Sequence, residues 1–168
     1  MNNILITGFP RVGKTTLLMK FLEKTTKKCS GFYTKEILNN HGFREGFKVF
    51  GILTKKEGTL AHKNTVSNAR VGNYFVDLHS FESVILPELV TKAELVVIDE
   101  IGKMELFSSK FKEKLLECLD RKNVIATITK MGGGEFVQKI KNRPDVELIE
   151  LTMQNIDHVL NELLRKIG

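Results

Sequence analysis

Residues Gly8-Phe9-Pro10-Arg11-Val12-Gly13-Lys14-Thr15 fit the spacing G-x-x-x-x-G-K-S/T, and Thr16 follows directly. Phosphate binding is the chemistry that this spacing serves. Successive backbone N–H groups of such a loop turn inward onto phosphate oxygens, and the helix behind it adds unpaired N–H groups and the positive end of its dipole. Gly13 lets the backbone come close to the ligand. Lys14 is placed to reach the β- and γ-phosphates, and the Thr15 hydroxyl to meet Mg²⁺. A second acidic motif lies farther along. Glu94-Leu95-Val96-Val97-Ile98-Asp99-Glu100 is an apolar strand ending in two carboxylates, the Walker B arrangement. Asp99 is the candidate Mg²⁺ ligand. Glu100, just beyond the strand end, is the candidate for orienting and deprotonating a water that attacks the γ-phosphate.

A transferring phosphoryl group also spreads charge over its outer oxygens, and one positioned arginine is worth about 10³- to 10⁵-fold in rate. Arg44, Arg70 and Lys103 are the candidates for that role. Each has a plain structural alternative: the solvent face of a hairpin for Arg44, a loop anchor for Arg70, and decoration of the segment after the acidic strand for Lys103. The histidines at 41, 62, 79 and 158 have no metal-ligand spacing and read as structural or solvated. Phe43, Phe47 and Phe50 read as the core contact of a hairpin. Tyr33 or Phe32 is the aromatic that could hold a base without discriminating it, because every base has a π-face.

These residues need a frame. Ile4–Thr7, Leu95–Asp99, Val124–Thr129 and Val146–Leu151 are almost continuously apolar, as strands of a parallel sheet covered on both faces must be. Helical patterns alternate with them: Thr16 to Glu23, a segment with Phe111, Leu115, Leu116 and Leu119 capped by Ser108, another from Glu135 to about Lys141, and a last one carrying Ile156, Val159, Leu160, Leu163 and Leu164 with Thr152 as its cap. The alternation predicts a doubly wound α/β sandwich. The stretch from about 31 to 78 instead alternates in the β manner: Gly31–Leu38, a turn at Asn39–Gly42, Phe43–Leu53, a turn at Lys55–Gly58, then Leu60–His62 and Tyr74–Leu78. It reads as an antiparallel insert, either an appendage or an extension of the main sheet. The 168 residues form one expected domain.

Composition sets outer bounds. No apolar run approaches membrane-spanning length. Cys29 and Cys118 stand alone, which fits a reducing cytoplasm. The 26 Lys and Arg residues exceed the 20 Asp and Glu residues for a net charge of +6. They are scattered along helices among acidic residues, so solvated helix faces explain most of them, and nucleic acid is a lesser alternative as partner. With no heptad seam or spare apolar stripe, a monomer is expected.

The placement of the second acid separates classes of phosphate-loop protein. No N-K-x-D guanine motif occurs. A glutamate directly after the Walker B aspartate resembles the additional-strand, catalytic-glutamate division, in which a strand lies between the phosphate-loop strand and the Walker B strand. Val124–Thr129 is the candidate for that strand, with Thr129 ahead of Thr127 as the polar residue at its end. Asp99-Glu100-Ile101-Gly102-Lys103-Met104-Glu105-Leu106 then resembles the signature of the small nucleoside-triphosphatase family that includes the cancer-related nucleoside-triphosphatase and its thermophilic relatives. Gly31-Phe32-Tyr33-Thr34, Gly42-Phe43-Arg44-Glu45-Gly46-Phe47, Arg70-Val71-Gly72-Asn73-Tyr74-Phe75-Val76, Ala126-Thr127-Ile128 and the stretch from Ile140 to Leu151 agree with it in order, so the likeness covers nearly the whole chain. It implies Mg²⁺-dependent hydrolysis of nucleoside triphosphates with loose choice of base. Its nucleotide-contacting set would run from Gly8 to Thr16 and from Asp99 to Gly102, with Thr15 and Asp99 on the metal. Two features depart from the pattern: Arg11, where small residues are common, and the run Gly132-Gly133-Gly134. Two other functions use the same loop: a nucleotide, nucleoside or polynucleotide kinase, and a weakly hydrolytic nucleotide sensor whose insert docks a partner.

Overall fold

The computed structural model describes residues 1–90 and 92–168. Alternation of side chains across a pleated strand explains its layering. In β1 (Asn3–Thr7), Ile4 and Ile6 point to one face and Leu5 to the other. All three are buried, so both faces must be covered. On one side lie α1 (Lys14–Lys24) and α5 (Ile156–Lys166), which bring Leu17, Leu18, Phe21, Val159, Leu160 and Leu163 to Ile4 and Ile6. On the other lie α2 (Leu78–Val90), α3 (Ser109–Asp120) and α4 (Gly134–Lys141). That second core is centred on three phenylalanines, Phe32, Phe81 and Phe111. Each meets the other two edge-to-face, with ring centres 5.5–5.8 Å apart.

The remaining strands are β2 (Cys29–Leu38), β3 (Arg44–Gly51), β4 (Glu57–His62), β5 (Arg70–Val71), β6 (Tyr74–Val76), β7 (Leu95–Ile101), β8 (Val124–Ile128) and β9 (Val146–Glu150). Among the described residues they form one nine-stranded sheet in the order β5-β6-β4-β3-β2-β7-β8-β1-β9. The half from β2 to β9 is parallel. The half from β5 to β2 is antiparallel. β2 belongs to both. Cys29 to Phe32 pair in parallel with β7, while Phe32 to Leu38 pair antiparallel with β3. Of the two expected forms for the insert, the extension of the main sheet is the one found. β8 lies between β1 and β7, as the additional-strand pattern requires. No helix among the described residues is long and apolar enough to cross a membrane.

The helix α2 was absent from the expected elements; the expected strand ran on to Leu78, where the helix begins. Its signals were present. Asp77 caps it, the Oδ1 accepting from the Ser80 amide at 3.0 Å, and Phe81, Val84, Ile85, Glu88 and Leu89 recur at helical spacing on the buried side. Pro87 inside the pattern and a glutamate on its apolar face obscured the period. Smaller corrections follow the same lines. Ser108 does cap α3, accepting from the Phe111 amide at 3.0 Å. Thr152 does not cap α5; Asn155 precedes that helix and its Oδ1 accepts from the Thr152 amide at 2.7 Å. Phe43 lies in the turn, 71% exposed, instead of in the hairpin core.

Glu88 holds the two halves together. Its carboxylate is fully buried and accepts from the amides of Gly31 (3.1 Å), Leu53 (3.0 Å) and Thr54 (2.7 Å) and from the Thr54 hydroxyl (2.7 Å). It thus joins α2 to β2 and to the β3–β4 turn. Glu88→Ala would leave several of these donors unpaired, each a loss comparable to a broken hydrogen bond. The expected destabilisation is about 3 kcal/mol, read as a lower urea midpoint at unchanged slope. A midpoint equal to the parent's would show that water replaces the carboxylate without loss.

Candidate active site

The C-terminal ends of β1, β8 and β7 open into one groove, the usual place for a ligand on a parallel sheet. β1 runs into the loop from Gly8 to Gly13, and α1 starts at Lys14. The Lys14 ammonium lies across the loop and donates to the carbonyls of Gly8 (2.7 Å) and Phe9 (3.1 Å). On β7 the ladder to β8 is interrupted between Ile98 and Ile101, and Asp99 and Glu100 occupy the interruption, joined by a cis peptide. Freed from the regular register, both carboxylates face the loop. Gly8, Lys14, Thr15, Asp99 and Glu100 line a cavity of about 600 Å³, whose far wall is built from the insert by Thr34, Phe47, Leu60 and Val71. Arg11, Gly13 and Thr16 line a smaller one, of about 310 Å³, around the outer side of the loop.

Burial dominates the electrostatics. Asp99 is 3% exposed. Desolvation raises its pKa, opposed by hydrogen bonds from the Thr127 and Thr15 hydroxyls and by the Lys14 charge. The Thr127 bond to Oδ1 is 2.7 Å. Desolvation and the neighbouring Asp99 charge raise Glu100, and Lys14 pulls it back. Glu105 is pushed up to about 8 by desolvation first and the Glu100 charge second.

The donor set fits a divalent cation. Asp99 Oδ2 is buried with no hydrogen-bond partner, and the Thr15 hydroxyl approaches the same carboxylate. No group of three or more His, Cys, Asp or Glu able to hold a metal occurs among the described residues. One hydroxyl and one carboxylate, completed by water and phosphate oxygens, are the ligands that Mg²⁺ favours over an all-protein cage.

The three basic candidates part company. Arg44 pairs with Glu36 across the hairpin and lies over the Phe47 ring at 5.2 Å, at the rim of the groove. Arg70 donates from Nε to the Gly72 carbonyl at 2.7 Å and covers Phe75, outside the main cavity. Lys103 lines the groove and makes no ion pair among the described residues. It passes beside the unexpected glycine run: a Cβ at Gly132 would stand 2.4 Å from Lys103 Cε, and all three glycines have positive φ, +83°, +81° and +64°, which is what requires glycine there. Ile101 is wholly buried in the core and pairs with Ile128, so it faces the helical layer. Val12 packs against the α1–α5 core. Thr129 lines the groove, where a polar residue facing the γ-phosphate was expected, and its hydroxyl donates to the Met131 carbonyl at 2.7 Å; Thr127 is buried and bonds Asp99 instead. Phe32 is in the aromatic core, and Tyr33 stacks on Phe50 beside a different cavity, so neither can hold a base in the groove. Two charged groove residues had no assigned role at all. Lys130 sits 3.9 Å from the Phe9 ring and pairs with Glu150; its position just after β8 was the signal. Glu105 was visible only as part of the motif after Walker B.

The chain is similar to known proteins over nearly its whole length. The pattern of the family described as NTPase matches residues 3–164. The nucleoside-triphosphatase THEP1 of Thermotoga sp. (strain RQ2) is 46% identical over 165 residues, 96% of this chain and 92% of that protein. The crystal structure of THEP1 from the hyperthermophile Aquifex aeolicus superposes with a TM-score of 0.88 at 36% identity, covering 99% of both chains. The solution structure of a human cancer-related nucleoside triphosphatase gives 0.82 at 35%, covering 98% of this chain and 96% of that one.

The protonation of Glu105 is readable in stability. Its carboxyl has an ordinary value of 4.5 and one of about 8 in the folded chain. The folded state therefore holds a proton that the unfolded state has released between these values. The stabilisation is complete below the ordinary value and is lost as pH rises through the folded one. The amide in Glu105→Gln does not titrate, and Asp99 and Glu100 are common to both proteins. The parent's melting temperature should fall relative to the variant's from about pH 5 to about pH 9. Parallel melting profiles over that range would mean that Glu105 is ionised throughout.

Proposed function

Because the chain belongs to the NTPase family and hydrolyses nucleoside triphosphates, we propose that Glu100 orients the attacking water and takes its proton while Lys14 and the loop amides hold the triphosphate. The observation that carries this reading is the meeting of Lys14, Asp99 and Glu100 at one groove, across the intervening strand β8. Loop and helix amides grip the phosphates, and the Lys14 ammonium exchanges its carbonyl partners for phosphate oxygens. Thr15 and Asp99 would hold Mg²⁺. When bound, that ion neutralises charge on the phosphoryl oxygens.

Water attacks the γ-phosphorus in line and its proton passes to Glu100; the bond to the β-phosphate oxygen breaks, giving nucleoside diphosphate and phosphate. Among the basic candidates Lys103 suits the developing charge best, since Glu36 engages Arg44 and the Gly72 carbonyl engages Arg70. Base choice is broad because these contacts all reach phosphates. The protein acts as a single-domain monomer in the cytoplasm, where its substrates are.

Glu100→Gln keeps the shape and hydrogen bonding of the side chain but not its basicity. Affinity for a non-hydrolysable ATP analogue should stay within about threefold, while phosphate release falls about 10²- to 10⁴-fold. Parent-like turnover by this variant would remove Glu100 from the mechanism. Release measured with no added acceptor also separates hydrolysis from a kinase reaction, which would be negligible under that condition.

A further inference from the structure

The groove is larger than hydrolysis needs. An attacking water takes about 30 Å³. The cavity lined by Lys14, Asp99 and Glu100 measures about 600 Å³, a size that holds a whole small molecule beside the reacting group. The smaller cavity, of about 310 Å³, shares Pro10, Lys14, Thr15 and Glu100 with it and continues past Arg11 and Thr16. The phosphate chain of the substrate therefore lies where the two cavities meet. Loop and helix amides cradle its inner phosphates while Lys14 reaches on to the γ-phosphate. The chain runs from the Asp99–Glu100 corner back toward Thr16, and the nucleoside leaves by the smaller cavity. The half of the large cavity that faces the insert is left for another molecule.

That half has its own chemistry and its own entrance. Phe47, Leu60, Val71 and Met104 give it an apolar wall. Arg44 lies over the Phe47 ring at 5.2 Å. Lys103 and Val71 together also line a further cavity of about 350 Å³, which leads outward past Arg70 and Phe107. A molecule can thus reach the wall by a route that the triphosphate does not occupy. Cations beside an apolar wall suit a body that is flat and apolar at one end and anionic at the other. A nucleoside monophosphate has that form, with its base on the wall and its phosphate toward Lys103 and the γ-phosphate.

We infer that the insert-facing half of the groove is an acceptor site for a nucleoside monophosphate, and that the enzyme transfers the γ-phosphoryl group to this acceptor in competition with hydrolysis. The inference rests on the grip on the triphosphate proposed above, and not on the role of Glu100. An oxygen of the acceptor's phosphate attacks the γ-phosphorus in line, and the bond to the β-phosphate oxygen breaks. One triphosphate and one monophosphate give two diphosphates. A phosphate monoester is dianionic above its second pKa of about 6, so no proton has to move. Water has a proton to lose and needs a base. The two reactions therefore part at Glu100.

The full chain is incubated with Mg²⁺ and ATP labelled at the γ-phosphorus, at about pH 8, with CMP, UMP, GMP or AMP at about 1 mM, the upper end of ordinary KM values. Free phosphate, ADP and labelled diphosphate are measured. At least one of these acceptors should take more label than water does. In Glu100→Gln, phosphate release should fall about 10²- to 10⁴-fold while transfer stays within about tenfold of the parent. Val71→Glu sets a carboxylate on the wall against an anionic acceptor. Transfer should fall at least about tenfold, with hydrolysis and KM for ATP within about threefold. No labelled diphosphate with any acceptor overturns the inference. So does parent-like transfer by Val71→Glu, or a KM for ATP that rises in it as far as transfer falls, since that would put the substrate's own nucleoside on this wall. If Val71→Glu does not fold, Thr34→Glu on the same wall is read by the same criteria. Fast hydrolysis by Glu100→Gln removes the role of Glu100 and leaves the acceptor site standing, whereas ADP equal to free phosphate with every acceptor rejects the acceptor site alone.

Discussion

Three carboxyl groups share a buried corner with one ammonium. Asp99, Glu100 and Glu105 lie at the end of β7 and in the turn that follows, and Lys14 at the start of α1 is the cation that acts on Asp99 and Glu100. Burial alone would neutralise such a cluster. Two hydroxyls, from Thr127 and Thr15, oppose that effect at Asp99, and its second oxygen has no hydrogen-bond partner among the described residues. The site is thus short of positive charge by design of its donors. A divalent cation bound beside the substrate's phosphates would offset that shortage.

Everything that brings this corner together is set by strand order. With β8 between β1 and β7, the loop and the acidic strand stand one strand apart, and Thr127 of β8 bridges to Asp99. Placed side by side, β1 and β7 would leave no room for that hydroxyl. The interruption of the β7–β8 ladder after Ile98 releases the two acids from the pleat while Ile101 returns to the core. The local break in regular structure occurs where the chemistry needs it.

The antiparallel half serves the same groove from the far side. β2 passes from parallel to antiparallel pairing within its ten residues, so the insert cannot move as a separate body without tearing the main sheet. Glu88 reinforces the joint from α2. The insert thereby sets a fixed wall of Thr34, Phe47, Leu60 and Val71 opposite the phosphate loop. Its arginines are held by local contacts, Arg44 with Glu36 and Arg70 with its own turn, which leaves Lys103 as the one of the three basic candidates that reaches the groove without an acidic partner among the described residues.

Local patterns carried the parallel strands, the phosphate loop, the Walker B acids and the α3 cap, because each depends on residues only a few positions apart. The period of α2 was hidden by Pro87 and by Glu88, a carboxylate on an apolar face that makes sense only when the amides of Gly31, Leu53 and Thr54 are seen around it. Thr127 and Thr129 have the same parity, so strand alternation cannot separate them; β8 ends at Ile128, and the hydroxyl still inside the sheet, Thr127, is the one that meets Asp99. The amino-acid sequence by itself determined that the chain grips phosphate and ends a buried strand in two acids. Tertiary structure alone decided which cation, hydroxyl and third carboxyl group surround those acids, since electrostatics in a buried site depends on distances between segments that the chain order leaves free.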